Sequence, residues 1–269
     1  MNSNELTASN INAGYGNKNI LDSVTVHIPQ NKISVILGSN GSGKSTLLKT
    51  FCRLIQPTSG QILLNENTIE CMKSKELAKV IGMLPQTSVA PEGIKVAELV
   101  SRGRYPHRKF MSPLTSEDYT AIEEAMKAMK ITDIADRSID ELSGGQRQRV
   151  FIALALAQQT DILFLDEPTT YLDIAYQIEI LDLLKDLNQT KKTTIVMVLH
   201  DINLSTKYAD YIFAMKNGKL ILEGNPNESI TTETIREIYG IESMIINDPI
   251  SNSPLVIPIS SHDHLTDVS

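Results

Sequence analysis

A glycine-rich segment at residues 38–45 has the residue types and the spacing of a phosphate-binding loop. Glycines allow successive backbone N–H groups to turn towards a phosphate, and the helix predicted after the loop adds its positive end. The lysine of the loop can reach the β- and γ-phosphates, and the hydroxyl that follows it is a natural Mg²⁺ ligand. The segment predicts a site for Mg²⁺ and ATP whose residues are Gly38, Ser39, Asn40, Gly41, Ser42, Gly43, Lys44, Ser45 and Thr46.

Four polar side chains follow apolar runs at points where strands are predicted to end. Asp166 and Glu167 come directly after one run, and His200 and Gln86 each follow another. Because ligands of open parallel sheets bind beyond the carboxyl ends of the strands, we expect all four at the nucleotide site. Asp166 can hold Mg²⁺ directly or through water, Glu167 can polarise an attacking water, and His200 can contact the γ-phosphate. Gln86 can reach the metal or the water.

A second candidate anion site precedes a long helical run. Ser143 and Gln146 have the spacing of a capping box, which a well-capped helix alone would explain. Gly144 and Gly145 also leave backbone amides open at a positive helix end, which suits a phosphate. Since the chain already has one phosphate loop, we interpret this segment as half of a nucleotide site shared between two subunits of a two-fold dimer.

The runs around the phosphate loop predict an α/β core. Residues 33–37 form a short strand rich in β-branched residues, and a helix is expected from residue 45 to about residue 54. Residues 162–165 and 195–199 are continuous apolar runs, as expected of parallel strands that are buried on both faces. Asn217-Gly218 lies between two apolar segments and predicts a hairpin.

Two other regions differ from this pattern. Residues 87–141 are mostly helical in character, which predicts a helical insertion into the α/β core. The tail from about Asp248 is polar at its end, and we predict no regular structure for it. His262 and His264 in that tail are expected to be solvated rather than bound to a metal.

Composition limits the functional classes. The chain has 269 residues and a hydrophobic content of 41%, which is enough for a buried core. Its net charge of -7 does not indicate binding to nucleic acid. Two cysteines without a paired motif indicate a reducing compartment. No signal peptide is predicted, and every apolar run is shorter than the roughly 20 residues that a membrane span needs. We expect a cytosolic or peripheral protein whose role at a membrane comes through a partner.

These motifs occur in an order that resembles the ATPase subunits of ATP-binding cassette (ABC) transporters, over most of the chain. The shared positions are residues 38–45, Gln86, residues 142–146, residues 163–167, Asp173 and His200. The resemblance implies an α/β fold, with a P-loop NTPase core of ABC type, a mostly parallel sheet, an N-terminal antiparallel β subdomain and an inserted helical subdomain. It implies one ABC ATPase domain over residues 1–269. Its parts are the nucleotide-binding core with the β subdomain (1–86 and 150–247), the helical subdomain with the signature motif (87–149), and a C-terminal tail (248–269).

The resemblance also implies roles for individual residues. Glu167 is the catalytic base or polarises the attacking water, and His200 clamps the γ-phosphate and that water. Gln86 acts with them and links the nucleotide to the membrane subunit, while Asp173 communicates across the dimer. Tyr15 takes the place of the aromatic residue that stacks on adenine, with an ordinary loop tyrosine as the alternative.

The implied partners follow from the same family. A homodimer closes on two ATP molecules, each held between one phosphate loop and the other subunit's residues 143–146. Integral membrane permease subunits dock on the helical subdomain. A substrate-binding lipoprotein or periplasmic-type protein acts indirectly, and no nucleic acid is involved. The expected location is peripheral, on the cytoplasmic face of the cell membrane.

A finer resemblance is to the ATPases of iron–siderophore importers, with haem and cobalamin importers close to them. The residues that support it are Gly103-Arg104-Tyr105-Pro106-His107, Pro168-Thr169-Thr170-Tyr171-Leu172-Asp173 and Leu199-His200-Asp201-Ile202-Asn203. Many ABC ATPases have Ser-Ala where this chain has Thr170-Tyr171, and the form in this chain is typical of the importer group. An importer ATPase for haem or cobalamin therefore remains an alternative.

Other classes of function also remain as alternatives. A cytosolic ABC ATPase that acts on ribosomes or DNA usually has two cassettes or a long coiled-coil insertion, and this acidic chain has neither. Exporter cassettes are often fused to membrane spans, which are not predicted here. A regulatory module without turnover would not need Glu167 and His200.

Overall fold

The computed structural model describes residues 4–109 and 112–260. The strands are Leu6–Tyr15 (β1), Lys18–Ile28 (β2), Ile33–Leu37 (β3), Ser59–Leu64 (β4), Asn67–Thr68 (β5), Ile81–Leu84 (β6), Ile162–Asp166 (β7), Thr194–Val198 (β8), Tyr211–Lys216 (β9), Lys219–Gly224 (β10), Glu242–Asn247 (β11) and Pro254–Ile259 (β12). The α-helices are Lys44–Phe51 (α1), Ser74–Val80 (α2), Val96–Ser101 (α3), Ser116–Ala128 (α4), Gly144–Ala157 (α5), Ile174–Lys191 (α6), Ile202–Tyr208 (α7), Pro226–Ser229 (α8) and Thr232–Tyr239 (α9).

The central sheet places the candidate site at one edge. Its strand order is β10-β9-β3-β8-β7-β6, and every neighbouring pair is parallel except β9 with β10. Every residue of β3, β7 and β8 is buried, as their continuous apolar runs predict. The carboxyl ends of β3, β6, β7 and β8 therefore lie along the same edge, and the segments after them share one surface.

A second, antiparallel sheet packs on the phosphate-loop helix. Its strand order is β2-β1-β4-β5, which confirms the predicted N-terminal antiparallel β subdomain. Leu47, Leu48 and Phe51 of α1 belong to the hydrophobic cluster that joins this sheet to the central one. Phe51 stacks on Phe164 of β7 with the ring centroids 5.5 Å apart. Helix α1 is thus held between two sheets, which fixes the loop that precedes it.

The middle of the chain is helical, as predicted, and one ion pair is buried within it. Helices α3, α4 and α5 pack together, and α5 continues without interruption across residue 150. The boundary between residues 149 and 150 remains a prediction. Arg104 Nε lies 2.8 Å from Asp118 Oδ1, and both side chains are 5% exposed. A buried pair of this kind is expected to fix the start of α4 against α5.

One local prediction differs from the structure, and another is confirmed. Helix α1 ends at Phe51 rather than near residue 54, because Arg53 takes a left-handed φ of 56° and its guanidinium donates to backbone carbonyls of Ile69 and Met72. The hairpin predicted at Asn217-Gly218 is present, with positive φ at both residues.

The prediction of a C-terminal tail without regular structure is wrong for Pro254–Ile259. These residues form β12, which pairs antiparallel with β11. The polar end of the tail obscured its short apolar run, and its two prolines are tolerated because β12 is an edge strand. Residues 261–269, with His262 and His264, lie outside the described residues. We refer to β11 and β12 together as the C-terminal hairpin.

Candidate functional site

The phosphate loop connects β3 to α1 and is shaped by glycines. Gly38 has φ 147°, and a Cβ there would lie 2.3 Å from the backbone oxygen of Met215. Gly43 has φ 105° and precedes the first residue of α1. The backbone N–H of Gly218 donates to Ser42 O at 3.0 Å, so the β9–β10 turn supports the loop. A larger residue at Gly38 would collide with backbone, and this loop path therefore requires glycine there.

The side chain of Lys44 folds back over the phosphate loop. Its Nζ donates to Gly38 O at 2.8 Å and to Ser39 O at 3.0 Å, and the residue is 5% exposed. Burial lowers the pKa of Lys44, although the charges of Glu167 and Asp166 act in the opposite direction. A desolvated ammonium group beside a loop of backbone amides favours the binding of a phosphate, because the anion replaces the lost hydration.

Ser45 and Asp166 meet between α1 and β7. The Ser45 hydroxyl donates to Asp166 Oδ1 at 2.8 Å. Burial raises the pKa of Asp166, and the nearby charge of Glu167 adds to the effect. Asp166 Oδ2 is buried and has no hydrogen-bond partner among residues 4–109 and 112–260. A hydroxyl beside a carboxylate with one unsatisfied oxygen is a donor set that Mg²⁺ prefers. The residues present therefore fit this ion.

Glu167 lies at the centre of a cluster drawn from three strand ends. Its carboxylate accepts from Gln86 Nε2 at 2.6 Å and from Thr170 Oγ1 at 3.0 Å, and lies 2.8 Å from His200 Nε2. Burial acts to raise the pKa of Glu167, but the hydrogen bonds and the charge of His200, with those of Thr170 and Gln86, outweigh it and the pKa lies below its ordinary value. Glu167 is thus held as a carboxylate, the form that can accept a proton from water.

The backbone at Glu167 explains how two adjacent acids point to different sites. Glu167 has φ 55°, which is uncommon for a residue with a side chain. Its left-handed conformation turns the chain directly after β7, so Asp166 faces Ser45 while Glu167 faces Gln86 and His200. Backbone strain of this kind is concentrated at functional sites.

The second candidate anion site is the start of α5. Ser143 is its N-cap, and both hydrogen bonds of the predicted capping box are present: Gln146 N donates to Ser143 Oγ at 3.3 Å and Ser143 N donates to Gln146 Oε1 at 3.2 Å. Gly144 faces open space apart from Leu172, whereas a Cβ on Gly145 would lie 2.9 Å from the ring of Tyr176. The role of these residues towards a nucleotide remains a prediction.

Tyr176 also connects that site to Asp173. Asp173 is the N-cap of α6 and accepts from the backbone N–H of Tyr176 at 3.2 Å. The Tyr176 ring packs against Gly145, so the two predicted interface segments contact each other within one subunit. Tyr15, at the end of β1, is 52% exposed, and its ring is accessible for stacking. Roles for Asp173 and Tyr15 remain predictions.

Two residues of the site were not predicted as such. Thr170 and Tyr176 lie beside residues that the sequence indicated, but a hydroxyl three residues after Glu167 and a ring three residues after Asp173 are common in unrelated loops. The signal that could have found Thr170 is its position in the turn that follows Asp166, Glu167 and Pro168. Tyr176 lacks even that signal, because its partner is a glycine distant in sequence.

The chain is similar to known proteins over most of its length. Residues 21–170 match the family model described as ABC transporter. The probable siderophore transport system ATP-binding protein YusV of Bacillus subtilis (strain 168) is 47% identical, over 94% of this chain and 92% of that protein. The ferric enterobactin transport ATP-binding protein FepC of Escherichia coli (strain K12) is 46% identical, over 94% of each chain.

A solved structure shares the fold. It is the dimeric structure of a post-hydrolysis state of the ATP-binding cassette MJ0796 bound to ADP and Pi. Its identity to this chain is 29%, with a TM-score of 0.70, covering 82% of this chain and 98% of that one. No helix of the described segments of this chain is long and apolar enough to cross a membrane.

Proposed function

The chain belongs to the ABC transporter family, and from this premise we propose that it is the ATP-hydrolysing subunit that drives an importer of iron–siderophore complexes. The observation on which the proposal rests is the cluster around Glu167. A carboxylate held by Gln86, Thr170 and His200 lies next to Asp166, which faces the phosphate-loop serine. A general base and a metal-binding acid are thus adjacent at the strand ends beside one phosphate loop.

Each part of the site has a step in the proposed hydrolysis. The loop amides and Lys44 bind the β- and γ-phosphates. Ser45 and Asp166, together with Gln86, would hold Mg²⁺, and the ion would neutralise charge on the phosphates. Glu167 orients the attacking water and accepts its proton, and His200 fixes the γ-phosphate and that water. Tyr15 stacks on the adenine ring.

Two copies of the chain close on two nucleotides in this proposal. The phosphate loop of one subunit faces the start of α5 in the other, where Ser143, Gly144, Gly145 and Gln146 supply donors at a positive helix end. Support comes from the open surface at Gly144 and from the dimeric state of the ADP-bound cassette described above. Asp173 reports the state of one site to the other through the Tyr176–Gly145 contact.

The coupling to a membrane runs through the segment after Gln86. Integral membrane permease subunits dock there, on the helical insertion, at the cytoplasmic face of the membrane. Exposed apolar side chains in that region support the proposal, among them Val89, which is 84% exposed, and Tyr105, which is 77% exposed. A substrate-binding lipoprotein or periplasmic-type protein delivers the cargo to the permease.

The cargo is inferred from the relatives. The names of YusV and FepC refer to a siderophore and to ferric enterobactin, and both proteins align over nearly all of this chain. Haem and cobalamin are the alternative cargoes, and a role on ribosomes or DNA is the alternative outside transport. Uptake of a labelled ferric siderophore, of haem and of cobalamin is compared between cells with the intact chain and cells with Lys44→Ala. The cargo whose uptake is lost in Lys44→Ala is the one that this chain serves. Loss of haem or cobalamin uptake, with siderophore uptake unchanged, would contradict the siderophore assignment.

Co-purification tests the transport role itself. A tagged Glu167→Gln chain, supplied with Mg-ATP, is captured from solubilised membranes of its own cell, with Lys44→Ala as the matched control. We expect Glu167→Gln to retain a multi-span permease. Capture of ribosomal or DNA-repair proteins without a permease would contradict the proposal.

A further inference from the structure

The C-terminal hairpin is joined to α7 by the side chain of Asn203. The backbone N–H of Val256 donates to Asn203 Oδ1 at 2.8 Å, and Asn203 Nδ2 donates to Val256 O at 3.2 Å. The amide thus satisfies both backbone groups of one β12 residue, as a neighbouring strand would. Thr206, which is 2% exposed, donates its hydroxyl to Pro254 O at 2.7 Å. Two side chains on one face of α7 therefore bind the backbone of β12.

Helix α7 begins directly after His200. Asp201 is its N-cap and accepts from Leu204 N at 2.8 Å, and Ser205 Oγ donates to Asp201 O at 2.6 Å. These contacts make the turn from His200 into α7 a compact unit. A displacement of α7 therefore moves the backbone that carries the imidazole.

His200 is itself weakly enclosed. On its N-terminal side the buried strand β8 fixes the chain, but the imidazole is 46% exposed and pairs with Glu167. Packing around the ring cannot by itself define its position. The position of the ring is set by the backbone on both sides, by β8 on one side and by α7 on the other.

We infer that Asn203 is a positioning residue for His200, and that the C-terminal hairpin acts through it to hold the imidazole against Glu167. The inference rests on the role proposed for His200 in hydrolysis. Asn203 lies three residues after His200, and it contacts the hairpin rather than the nucleotide site. The hairpin therefore contributes to turnover without touching ATP.

The chain contains a matched control for the loss of such an asparagine. Asn188, in α6, donates from Nδ2 to Asn31 O at 3.1 Å and to Thr193 O at 2.8 Å. These partners precede β3 and β8, so Asn188 lies at the opposite edge of the sheet from His200. Asn188→Ala removes two side-chain hydrogen bonds to backbone, as Asn203→Ala does, but far from the nucleotide site.

The test compares steady-state ATP hydrolysis of the full chain and its variants at a temperature where all remain folded. For Asn203→Ala we expect kcat to fall about tenfold or more while KM for ATP changes little, because groups that orient catalytic residues typically contribute 10- to 100-fold. Asn188→Ala should lower the melting temperature by about as much as Asn203→Ala does, and it should leave kcat unchanged. An unchanged kcat in Asn203→Ala, or an equal fall in Asn188→Ala, would overturn the inference.

A second pair of variants covers the case in which Asn203→Ala does not fold. Thr206→Val removes the hydroxyl that binds Pro254 O, and Thr206→Ser keeps it. We expect Thr206→Val to lower kcat and Thr206→Ser to restore it; equal kcat in the two would refute the positioning role.

His200→Ala separates failure of the proposed site from failure of the inference about the hairpin. If His200→Ala keeps full turnover, the proposed site is wrong, whereas an inactive His200→Ala beside a fully active Asn203→Ala refutes only the inference about the hairpin.

Discussion

Glu167 Oε1 lies 2.8 Å from His200 Nε2, across the gap between the ends of β7 and β8. The glutamate side chain is 9% exposed and the imidazole 46%, so the imidazole is the more exposed partner of the pair. The contact holds Glu167 in its ionised form, because the ring donates to it and lowers its pKa against the effect of burial. The proposed base and the proposed γ-phosphate contact thus form one hydrogen-bonded unit.

Replacement of Asp166 by asparagine should stabilise the nucleotide-free chain at neutral pH. Burial raises the pKa of Asp166, so the folded state binds this proton more tightly than the unfolded state does. The contribution of the aspartate to stability is therefore most favourable at low pH and declines as the pH rises through the raised pKa. Melting temperatures measured from about pH 3 to about pH 8 should show a gain for Asp166→Asn that grows with pH.

The same variant should respond less strongly to Mg²⁺. Mg²⁺ should raise the melting temperature of the wild-type chain with ATP by more than it raises that of Asp166→Asn, since a ligand stabilises the state that binds it. Equal responses to Mg²⁺ would remove Asp166 from the proposed metal site. A stability loss at neutral pH would contradict the account of its burial.

Loss of the buried Arg104–Asp118 pair should destabilise the helical region in a pH-dependent way. Despite burial, the hydrogen bonds from Thr115 and Arg104 lower the pKa of Asp118 to about 2. Its stabilising effect is therefore complete above the ordinary pKa and is lost as the pH falls towards about 2. Asp118→Asn should cost about 3 kcal/mol or more in the free energy of unfolding at neutral pH, because it leaves Arg104 buried without its partner.

An exposed ion pair provides the control for Asp118. Asp136, with its side chain 95% exposed, lies 3.6 Å from Lys95. Asp136→Asn should change the free energy of unfolding by about 1 kcal/mol at most. Denaturant unfolding at neutral and acidic pH measures both variants. Similar losses for the two would show that the burial of Arg104 and Asp118 has no energetic consequence.

A methyl group at Gly145 should disturb the proposed dimer rather than the ATP site of the single subunit. An added Cβ would lie 2.9 to 3.3 Å from three ring atoms of Tyr176, so the start of α5 or the ring must move. We expect Gly145→Ala to bind ATP normally and to lose ATP-dependent dimerisation, measured by sedimentation with Glu167→Gln in the background. Addition of Tyr176→Ala makes room and should restore part of the dimer. Full dimerisation of Gly145→Ala alone would contradict the role of this contact.

The sequence allowed the site residues to be grouped because parallel strands impose a simple rule. Asp166, His200 and Gln86 each follow a buried run, and parallel strands bring their carboxyl ends to one edge. The contacts among them could not be predicted. The approach of Glu167 to His200 depends on a left-handed φ at Glu167, which is a property of the folded turn and not of its residue type.

Other features were hidden for similar reasons. Arg104, within a segment that suggested a transporter subgroup, is buried and binds Asp118, Ala157 O and Gln159. A charged residue in a sequence gives no sign that it will be buried with a partner. Strand β12 was missed because its partner β11 and the helix on which it packs are set by tertiary contacts, while its own sequence is short and contains proline.

The most direct test of the account compares Mg-ATP binding and ATP turnover in Glu167→Gln. The substitution keeps the shape of the side chain and removes the proton acceptor, with Lys44→Ala as the variant that should fail to bind ATP. We predict that Glu167→Gln binds Mg-ATP as tightly as the wild-type chain and loses turnover by about a hundredfold or more. Turnover at the wild-type rate in Glu167→Gln would contradict the assignment of Glu167 as the base.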